Sequence, residues 1–446
     1  MNYQTDLPGR LKSSSSESLP GKLAAALTGQ IGLMVIGILT TMILARVLGP
    51  TGKGLFTLCL TAASSIVIIA HGSLAAGSAY YGGRHPETRP GLVGNGLAMS
   101  FLWGGALTAV CGLLLQGNWI QRFAALDPRL WWMAVFAIIP LLLIEYAGGM
   151  VIGFDAIRSF SLTLLTRELL LLVGLLILIK LQAASAYTSV AVWVVATVLG
   201  SIMMLSHALR RLEAPPRIEP EVFKKISLIS IQGHAANLFG TLKLRFDPLM
   251  LAWFLAPADV GYYSIATAMV AGLWYLPSAI SQVLLPLVSG RGDVEGNRLT
   301  PVIVRIGFAG VVLGAIGLAL LGKILIIWLP GANYLPALPA LLVLIPGAVI
   351  YSLAKMLSGD LMGRGKPMYG MIISTAAFFA NIVAGVLLIP RFGIIGAAAA
   401  SSVTHAFTGL MFLYYFLHES GMPASQVLIP QWGDLQLILR KESLPR

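Results

Sequence analysis

Between residues 24 and 417 the chain is a succession of apolar runs long enough to cross a bilayer, which takes about 20 helical residues. No other feature narrows the fold as much. Hydrocarbon offers no water to backbone N–H and C=O groups, so each run must satisfy its own by forming a helix. About twelve spans are read: 24–45, 55–79, 93–115, 130–152, 160–181, 186–207, 226–255, 262–288, 302–321, 337–358, 368–390 and 394–417. Gly or Pro interrupts most of them, as membrane helices tolerate. Only 11% of the residues are charged, where a soluble domain carries roughly 25%. The chain is expected to be an all-α polytopic membrane protein.

One stretch occurs twice. Leu44–Phe56 reads LARVLGPTGKGLF and Leu251–Tyr263 reads LAWFLAPADVGYY. Leu44 aligns with Leu251, Ala45 with Ala252, Leu48 with Leu255, Pro50 with Pro257 and Gly54 with Gly261. Gly49 against Ala256 keeps a small residue, and Phe56 against Tyr263 keeps an aromatic one. Leu and Ala matches are cheap in so apolar a chain. In-register Pro and Gly at the end of a long run are not, and they mark an internal duplication. The copies follow spans one and seven, so the offset holds an even number of spans and both halves keep one orientation. The expected architecture is about twelve transmembrane helices in two six-helix bundles related by a parallel internal repeat, with a site between them near mid-membrane.

The longest polar joint, Arg210–Lys225, carries the prolines and charges of a solvated linker. It divides the chain into a polar tail (1–22), a first bundle (23–209), the linker (210–225), a second bundle (226–417) and a final tail (418–446). Within that tail, Val427–Arg440 reads either as a short helix lying on the inner leaflet or as an irregular end. Most of the thirty Lys and Arg fall on the side of the two termini, which places both ends in the cytoplasm. Met1–Pro20 is polar, so no cleavable signal peptide is expected. Cys59 and Cys111 lie inside apolar runs and read as small core residues. The net charge of +12 does not point to nucleic acid, because no basic, aromatic-interleaved domain exists to bind it.

Charges inside a membrane cost several kcal/mol and default to a functional reading. The densest set is Lys243, Arg245 and Asp247, followed by Pro248. Lys243 and Asp247 share a helix face at i,i+4 and are expected to partner each other. Arg245 points about 160° away. Pro248 cannot donate its N–H, which leaves the Leu244 carbonyl unbonded and invites a kink. Counted from Pro257, Arg245 lies roughly 18 Å inside the end of its span at ~1.5 Å per residue, near the middle of a core about 30 Å thick. It is expected either to face a wet cavity or to pair with Glu145 or Glu168. Arg167 and Glu168 are sequence neighbours, face different directions, and are not expected to cancel simply. Lys355, and Arg46 at the end of span one, complete the candidate cations; Arg46 and Asp360 can also snorkel to headgroups. Glu145 is the best-buried acid of the first half and a candidate proton site. His71, His234 and His405 show no metal-ligand spacing, and no metal site is expected. The sum is a cavity richer in cations than anions, suited to a phosphate or diphosphate that Arg binds through paired hydrogen bonds.

Catalytic constellations are not found: there is no phosphate-cradling Walker loop and no Ser/His/Asp arrangement, and the joints on the far side from the termini are short. The chain is not expected to be an enzyme and calls for no cofactor.

Four segments resemble the oligosaccharide-lipid flippases, the O-antigen and exopolysaccharide exporters of the multidrug/oligosaccharidyl-lipid/polysaccharide superfamily. RFDPLMLAWFLAPADVGYYSIA from Arg245 looks like their seventh helix and following turn, and ILARVLGPTGKGLF from Ile43 like the end of their first. NIVAGVLLIPRFGIIGAAAASSV from Asn381, with Pro390 and Gly393, is similar to their eleventh-to-twelfth turn, and LMGRGKP from Leu361 to the loop after helix ten. The resemblance implies alternating access in a bacterial cytoplasmic membrane. It implies movement of a polyprenyl-diphosphate-linked oligosaccharide for cell-surface polysaccharide biosynthesis, driven by a proton or sodium gradient. Membrane lipids, a polysaccharide polymerase and chain-length machinery would be its partners. Substrate-contacting candidates are Arg245, Lys243, Arg46, Arg167 and Lys355; ion-coupling or charge-pair candidates are Asp247, Glu145 and Glu168. Pro50, Gly54, Pro248, Pro257, Gly261, Pro390 and Gly393 are the expected turns and hinges. Lipid-II flippase relatives typically have fourteen helices, two more than here. The alternatives are a multidrug extruder of the same superfamily, a major-facilitator transporter, whose loop signature is missing from YYGGRHPETRP at Tyr80, and a membrane glycosyltransferase or polymerase.

Overall fold

The computed structural model describes residues 19–72, 74–115, 127–291, 293–429 and 431. In chain order the helices are α1 (Leu19–Ala70), α2 (Leu74–Arg84), α3 (Arg89–Leu115), α4 (Pro128–Phe136), α5 (Ile138–Gly153), α6 (Ile157–Lys180) and α7 (Ala186–Leu209). Then come α8 (Pro220–Phe254), α9 (Pro257–Ala271), α10 (Tyr275–Arg291), α11 (Asp293–Trp328), α12 (Ala337–Gly363), α13 (Pro367–Ser420) and α14 (Ala424–Leu428). Nine described helical runs are long and apolar enough to cross a membrane. Two of them are double. Gly49 (φ 65) breaks α1 and Gly393 (φ 59) breaks α13. Both take left-handed backbone that only glycine adopts cheaply. With these folded in two and the charged α8 included, the described residues are consistent with the twelve crossings expected. Short helices pair up within single crossings, as α4 with α5 and α9 with α10. The expected tail helix, Val427–Arg440, overlaps the short α14 at Val427 and Leu428; residue 430 and residues 432 onward, like the tail before residue 19, lie outside the described residues.

Three apolar cores hold the helices, and their membership shows how the halves meet. One lies wholly in the first lobe apart from the start of α8 (Leu92, Leu142, Met150, Met204) and one wholly in the second (Leu284, Met356, Phe412, Phe416). The third is common to both: Leu44, Phe56 and Trp193 pack in one continuous cluster with Leu251, Tyr263 and Leu341. It surrounds the two repeated turns. The lobes are therefore fused on the face that carries Gly49 and Ala256, the turn face. Toward the opposite face, which carries the 210–219 linker, each lobe keeps its own core.

The repeated hairpins are the centre of that fusion. A Cβ placed on Gly54 would collide with the carbonyl of Pro257, and one on Gly261 with the carbonyl of Pro50. Each copy presses its glycine onto the proline carbonyl of the other, which is the signature of an approximate two-fold relationship between the lobes. Small residues allow such backbone approach where no hydrophobic effect drives helices together.

Residues 210–219 are mostly exposed, yet the segment is not loose. Buried Asn95 on α3 donates to the Glu219 carbonyl (2.8 Å) and accepts from the Glu219 N–H (2.9 Å), and Arg217 N–H bonds the Pro90 carbonyl (3.2 Å). Val222 and Ile226, in the first turns of α8, belong to the first lobe's core. The packing boundary thus falls inside α8 rather than at residue 226. This helix starts in one lobe and ends in the other.

Candidate functional site

Two cavities lie between the lobes. The linker-side chamber, of 590 Å³, is walled by α1, α2, α5, α6, α7 and α8 and includes Glu145, Arg167 and Glu168. The turn-side chamber, of 650 Å³, is walled by α1, α8, α9, α12 and α13 and includes Lys53, Asp247 and Tyr263. Leu60, Thr241 and Arg245 line both. Arg245 therefore stands at the neck where the chambers meet. Its side chain is exposed to the cavity and takes part in no hydrogen bond or ion pair among the described residues. Glu145 and Arg167 are near enough for their charges to act on it. Glu145 is likewise exposed to the chamber.

Arg167 and Glu168 correct an expectation. Neighbouring side chains on a helix leave in different directions, but both are long, and the guanidinium swings back to reach the carboxylate at 2.5 Å. The pair cancels locally.

Lys243 and Asp247 correct another. They do share a face, but each is held separately by α13. Lys243 Nζ donates to the Thr404 carbonyl (3.1 Å) and to Thr408 Oγ1 (2.8 Å) and sits 5.0 Å from the centre of the Tyr351 ring. Asp247 accepts three hydrogen bonds, from Tyr263 (2.7 Å), Ser401 (2.5 Å) and Asn381 (2.6 Å). Thr404 donates in turn to Asn381 Oδ1 (3.1 Å). Three neutral donors satisfy most of the carboxylate's acceptor capacity. The ammonium is drawn instead to Thr404 and Thr408, so no direct i,i+4 ion pair forms, although the two charges still act on each other. Asn381, Ser401, Thr404 and Thr408 are site residues that charge-based reading overlooks. The signal was the spacing of 401, 404 and 408, which puts three hydroxyls on one face of an apolar helix.

Lys355 lies 5.7 Å from the same Tyr351 ring, so two cations share one aromatic ring. His405 is also packed there, 4.7 Å from Tyr351 and 5.2 Å from Trp274, ring centre to ring centre. Arg46 is elsewhere. It crosses the seam on the turn face, donating from Nε to the Leu329 carbonyl (2.6 Å) and from a second nitrogen to the Trp328 carbonyl at the end of α11. Beside it, buried Tyr334 donates to the Ala45 carbonyl (3.1 Å). Asp360 does not snorkel. It is fully buried and ion-paired to Arg364 at 2.6 Å, with Thr300 donating at 2.7 Å. Pro248 sits in the wall of the turn-side chamber next to Asp247. Pro390 precedes the Gly393 break in α13. The His234 side chain lies outside the described residues. Cys59 is buried in the core, and no three His, Cys, Asp or Glu side chains gather into a metal site among the described residues.

The chambers are not simply cation-rich, as the sequence suggested. Lys53, Arg167 and Arg245 face Glu145, Glu168 and Asp247 across the two linings. Their character comes from which charges are already satisfied. Glu168 is taken by Arg167 and Asp247 by three neutral donors, leaving Arg245, Glu145 and Lys53 without an ion pair among the described residues.

Two lobes related by an internal repeat are fused on one face around chambers lined by charged side chains, an arrangement of helices that solved membrane transporters share. The chain superposes on the lipid II flippase MurJ in an inward closed conformation, with TM-score 0.72 and 13% identity over 95% of this chain and 94% of that one. It superposes on an inward-facing multidrug resistance MATE family transporter of the MOP superfamily with TM-score 0.69 and 14% identity, over 89% and 98% of the two chains. The family model described as polysaccharide biosynthesis protein matches residues 22–290, and the chain belongs to that family. It is 28% identical over 202 residues to the capsular polysaccharide biosynthesis protein CapF of Staphylococcus aureus, covering 44% of this chain and 50% of CapF. It is 29% identical over 161 residues to the probable flippase AglR of Haloferax volcanii, covering 35% of this chain and 34% of AglR. The matched stretches thus span half or less of those relatives.

Proposed function

We propose that this protein is a flippase, not an enzyme. It moves a polyprenyl-diphosphate-linked oligosaccharide across a bacterial cytoplasmic membrane by alternating access, for assembly of a cell-surface polysaccharide. The observation that carries the reading is Arg245: a permanent cation deep in the protein, exposed at the neck between two chambers and bonded to none of the described residues. A structural arginine at that depth would be paired. A transport cation must present its guanidinium to an anion and let it go. The relatives named for capsular polysaccharide biosynthesis and for flipping agree with such a substrate. In this reading the turn face is outward, both termini are cytoplasmic, and the structure is the state sealed on the outside. An ion gradient supplies the drive, with Glu145, which faces Arg245, as the exchangeable acid. The lipid tail stays in the bilayer; polymerase and chain-length machinery are the partners downstream.

The test is complementation of a deletion strain. Loss of a charge-assisted contact costs about 1.5–3 kcal/mol, roughly tenfold to a hundredfold in affinity. Arg245→Ala should reach normal membrane abundance and fail to export, with Arg245→Lys recovering part. Normal export by Arg245→Ala would sink the assignment. A reporter active only outside the cytoplasm, fused after Arg446, should be silent. The multidrug reading is kept because of the fold shared with the MATE transporter. It predicts that deletion raises drug sensitivity without stranding lipid-linked sugar.

A further inference from the structure

Lys53 is one of the most deeply buried cations of the chain, at 6% exposure, and the function proposed above makes no use of it. It stands in the first repeated hairpin, in the wall of the turn-side chamber. Its one hydrogen bond among the described residues is to Thr57 Oγ1, at a long 3.3 Å, and its ammonium lies 5.5 Å from the centre of the Phe56 ring. No carboxylate among the described residues pairs with it. Asp247, the acid in the same chamber, is occupied by Tyr263, Ser401 and Asn381.

The internal repeat supplies a built-in control. Position 53 aligns with Val260 in the second hairpin, which is fully buried against the same seam. An apolar side chain is therefore enough to pack that hairpin. The first copy instead carries a cation whose burial is unfavourable without a counter-ion. No such partner is found among the described residues, and Lys53 lines the chamber, so an anion that enters the chamber can supply it.

The placement says when. Arg245 lines both chambers, while Lys53 lines the turn-side one alone. Leu60 marks the neck on the same helix as Lys53, roughly 10 Å further along at ~1.5 Å per residue. We propose that Lys53 is a second anion station, which takes the phosphate-bearing group of the substrate after Arg245 and holds it at the seam before release. This rests on the reading of Arg245 as the first contact. The ligand class is a phosphate or diphosphate monoester of a lipid. The ammonium is a point charge that binds such oxygens without demanding one orientation, whereas the Arg245 fork imposes one. Lys53 also adjoins Gly54, whose backbone abuts Pro257. An anion drawn to it thus arrives where the outer seam has to part.

The experiment uses the full chain in detergent and in liposomes, with inorganic diphosphate as the binding probe and a fluorescent short-chain polyprenyl diphosphate as the transport probe. Inorganic diphosphate reports the headgroup alone; the lipid form reports passage. Lys53→Met should keep the wild-type melting temperature, since Val260 serves in the sister hairpin. It should bind inorganic diphosphate nearly as well as wild type, yet flip the lipid about tenfold more slowly or worse. Lys53→Arg should restore most of the rate. Arg245→Gln should lose binding itself. Wild-type flipping by Lys53→Met, with Arg245→Gln inactive, overturns the second station and leaves the first intact. Wild-type binding and flipping by Arg245→Gln overturns the reading beneath it. If Lys53→Met binds as poorly as Arg245→Gln, the two cations form one site and the station idea is wrong. A melting temperature that falls in Lys53→Met, with Lys53→Arg flipping no better, makes the lysine a packing residue and also overturns the proposal.

Discussion

Gly54 and Gly261 each lie against the carbonyl of the proline that begins the other's hairpin, Pro257 and Pro50 respectively. Two copies of one short motif thus make a reciprocal contact that closes the turn face. A methyl group at either glycine meets backbone, which cannot rotate away. Over-packing of this kind costs about 1–3 kcal/mol, enough to move a two-state equilibrium by roughly tenfold. Gly54→Ala and Gly261→Ala should therefore shift the protein toward the state open on the turn face. With the turn face outward, as proposed, a cysteine at Thr57 in a chain lacking Cys59 and Cys111 should react faster with an impermeant maleimide added outside. Unchanged labelling would mean that the seam does not gate this chamber.

Arg46 reinforces that seam from the rim. Its guanidinium bonds the carbonyls of Trp328, the last residue of α11, and of Leu329 just beyond it, where the helix dipole favours a cation. Arg46→Ala should raise the same Thr57 labelling, and Tyr334→Phe should add to it by removing the bond to the Ala45 carbonyl. Headgroup binding measured with inorganic diphosphate should stay unchanged in Arg46→Ala. A loss of binding there would place Arg46 in the substrate path instead.

Two neighbours in α8 should separate stability from transport. Asp247→Ala removes the acceptor of three buried donors. Tyr263 and Ser401 can still bond each other (3.0 Å), which leaves Asn381 and one hydroxyl hydrogen unsatisfied at about 1–3 kcal/mol each, and the melting temperature should fall by several degrees. Arg245→Ala orphans nothing among the described residues and should melt as wild type while failing to export. Equal melting temperatures for the two variants would contradict the network described around Asp247.

Asp127, just ahead of the span that starts at Pro128, offers a pH test. It caps α4 by accepting from the Arg129 N–H (2.8 Å) and also accepts from Tyr187 on α7 (2.6 Å). The Tyr187 hydrogen bond foremost, then the backbone one, holds its carboxyl below the usual Asp value, which is ~3.9. A depressed folded value means that its stabilisation is fully present above that ordinary pKa and is lost as pH falls through the folded one. The gap in thermal stability between wild type and Asp127→Asn should be constant from neutral pH to about pH 5 and close below pH ~4. A gap that persists under acid would show that the carboxylate's charge is not what stabilises this joint.

The membrane class, the crossings and the paired hairpins are all legible in the amino-acid order, because each is written locally. A span is a length of apolar chain, and a turn is a Pro or Gly at its end. The depth of Arg245 follows from a residue count. The partners of the charges are not legible there. Helical spacing puts Lys243 beside Asp247, but α13 brings Thr404, Thr408, Ser401 and Asn381 to them first. Spacing also separates Arg167 from Glu168, but two long side chains close the gap.

What the sequence alone determined is which residues are expensive to place in a membrane. What the tertiary structure decided is which of them are already satisfied. That depends on how each helix is rotated and what backbone or hydroxyl its neighbour presents, and no spacing within one helix contains it. Lys53 shows the difference most plainly. In the sequence it is one lysine near the end of a span. In the fold it is buried at 6% exposure in the wall of a chamber, beside Gly54, where the two hairpins meet.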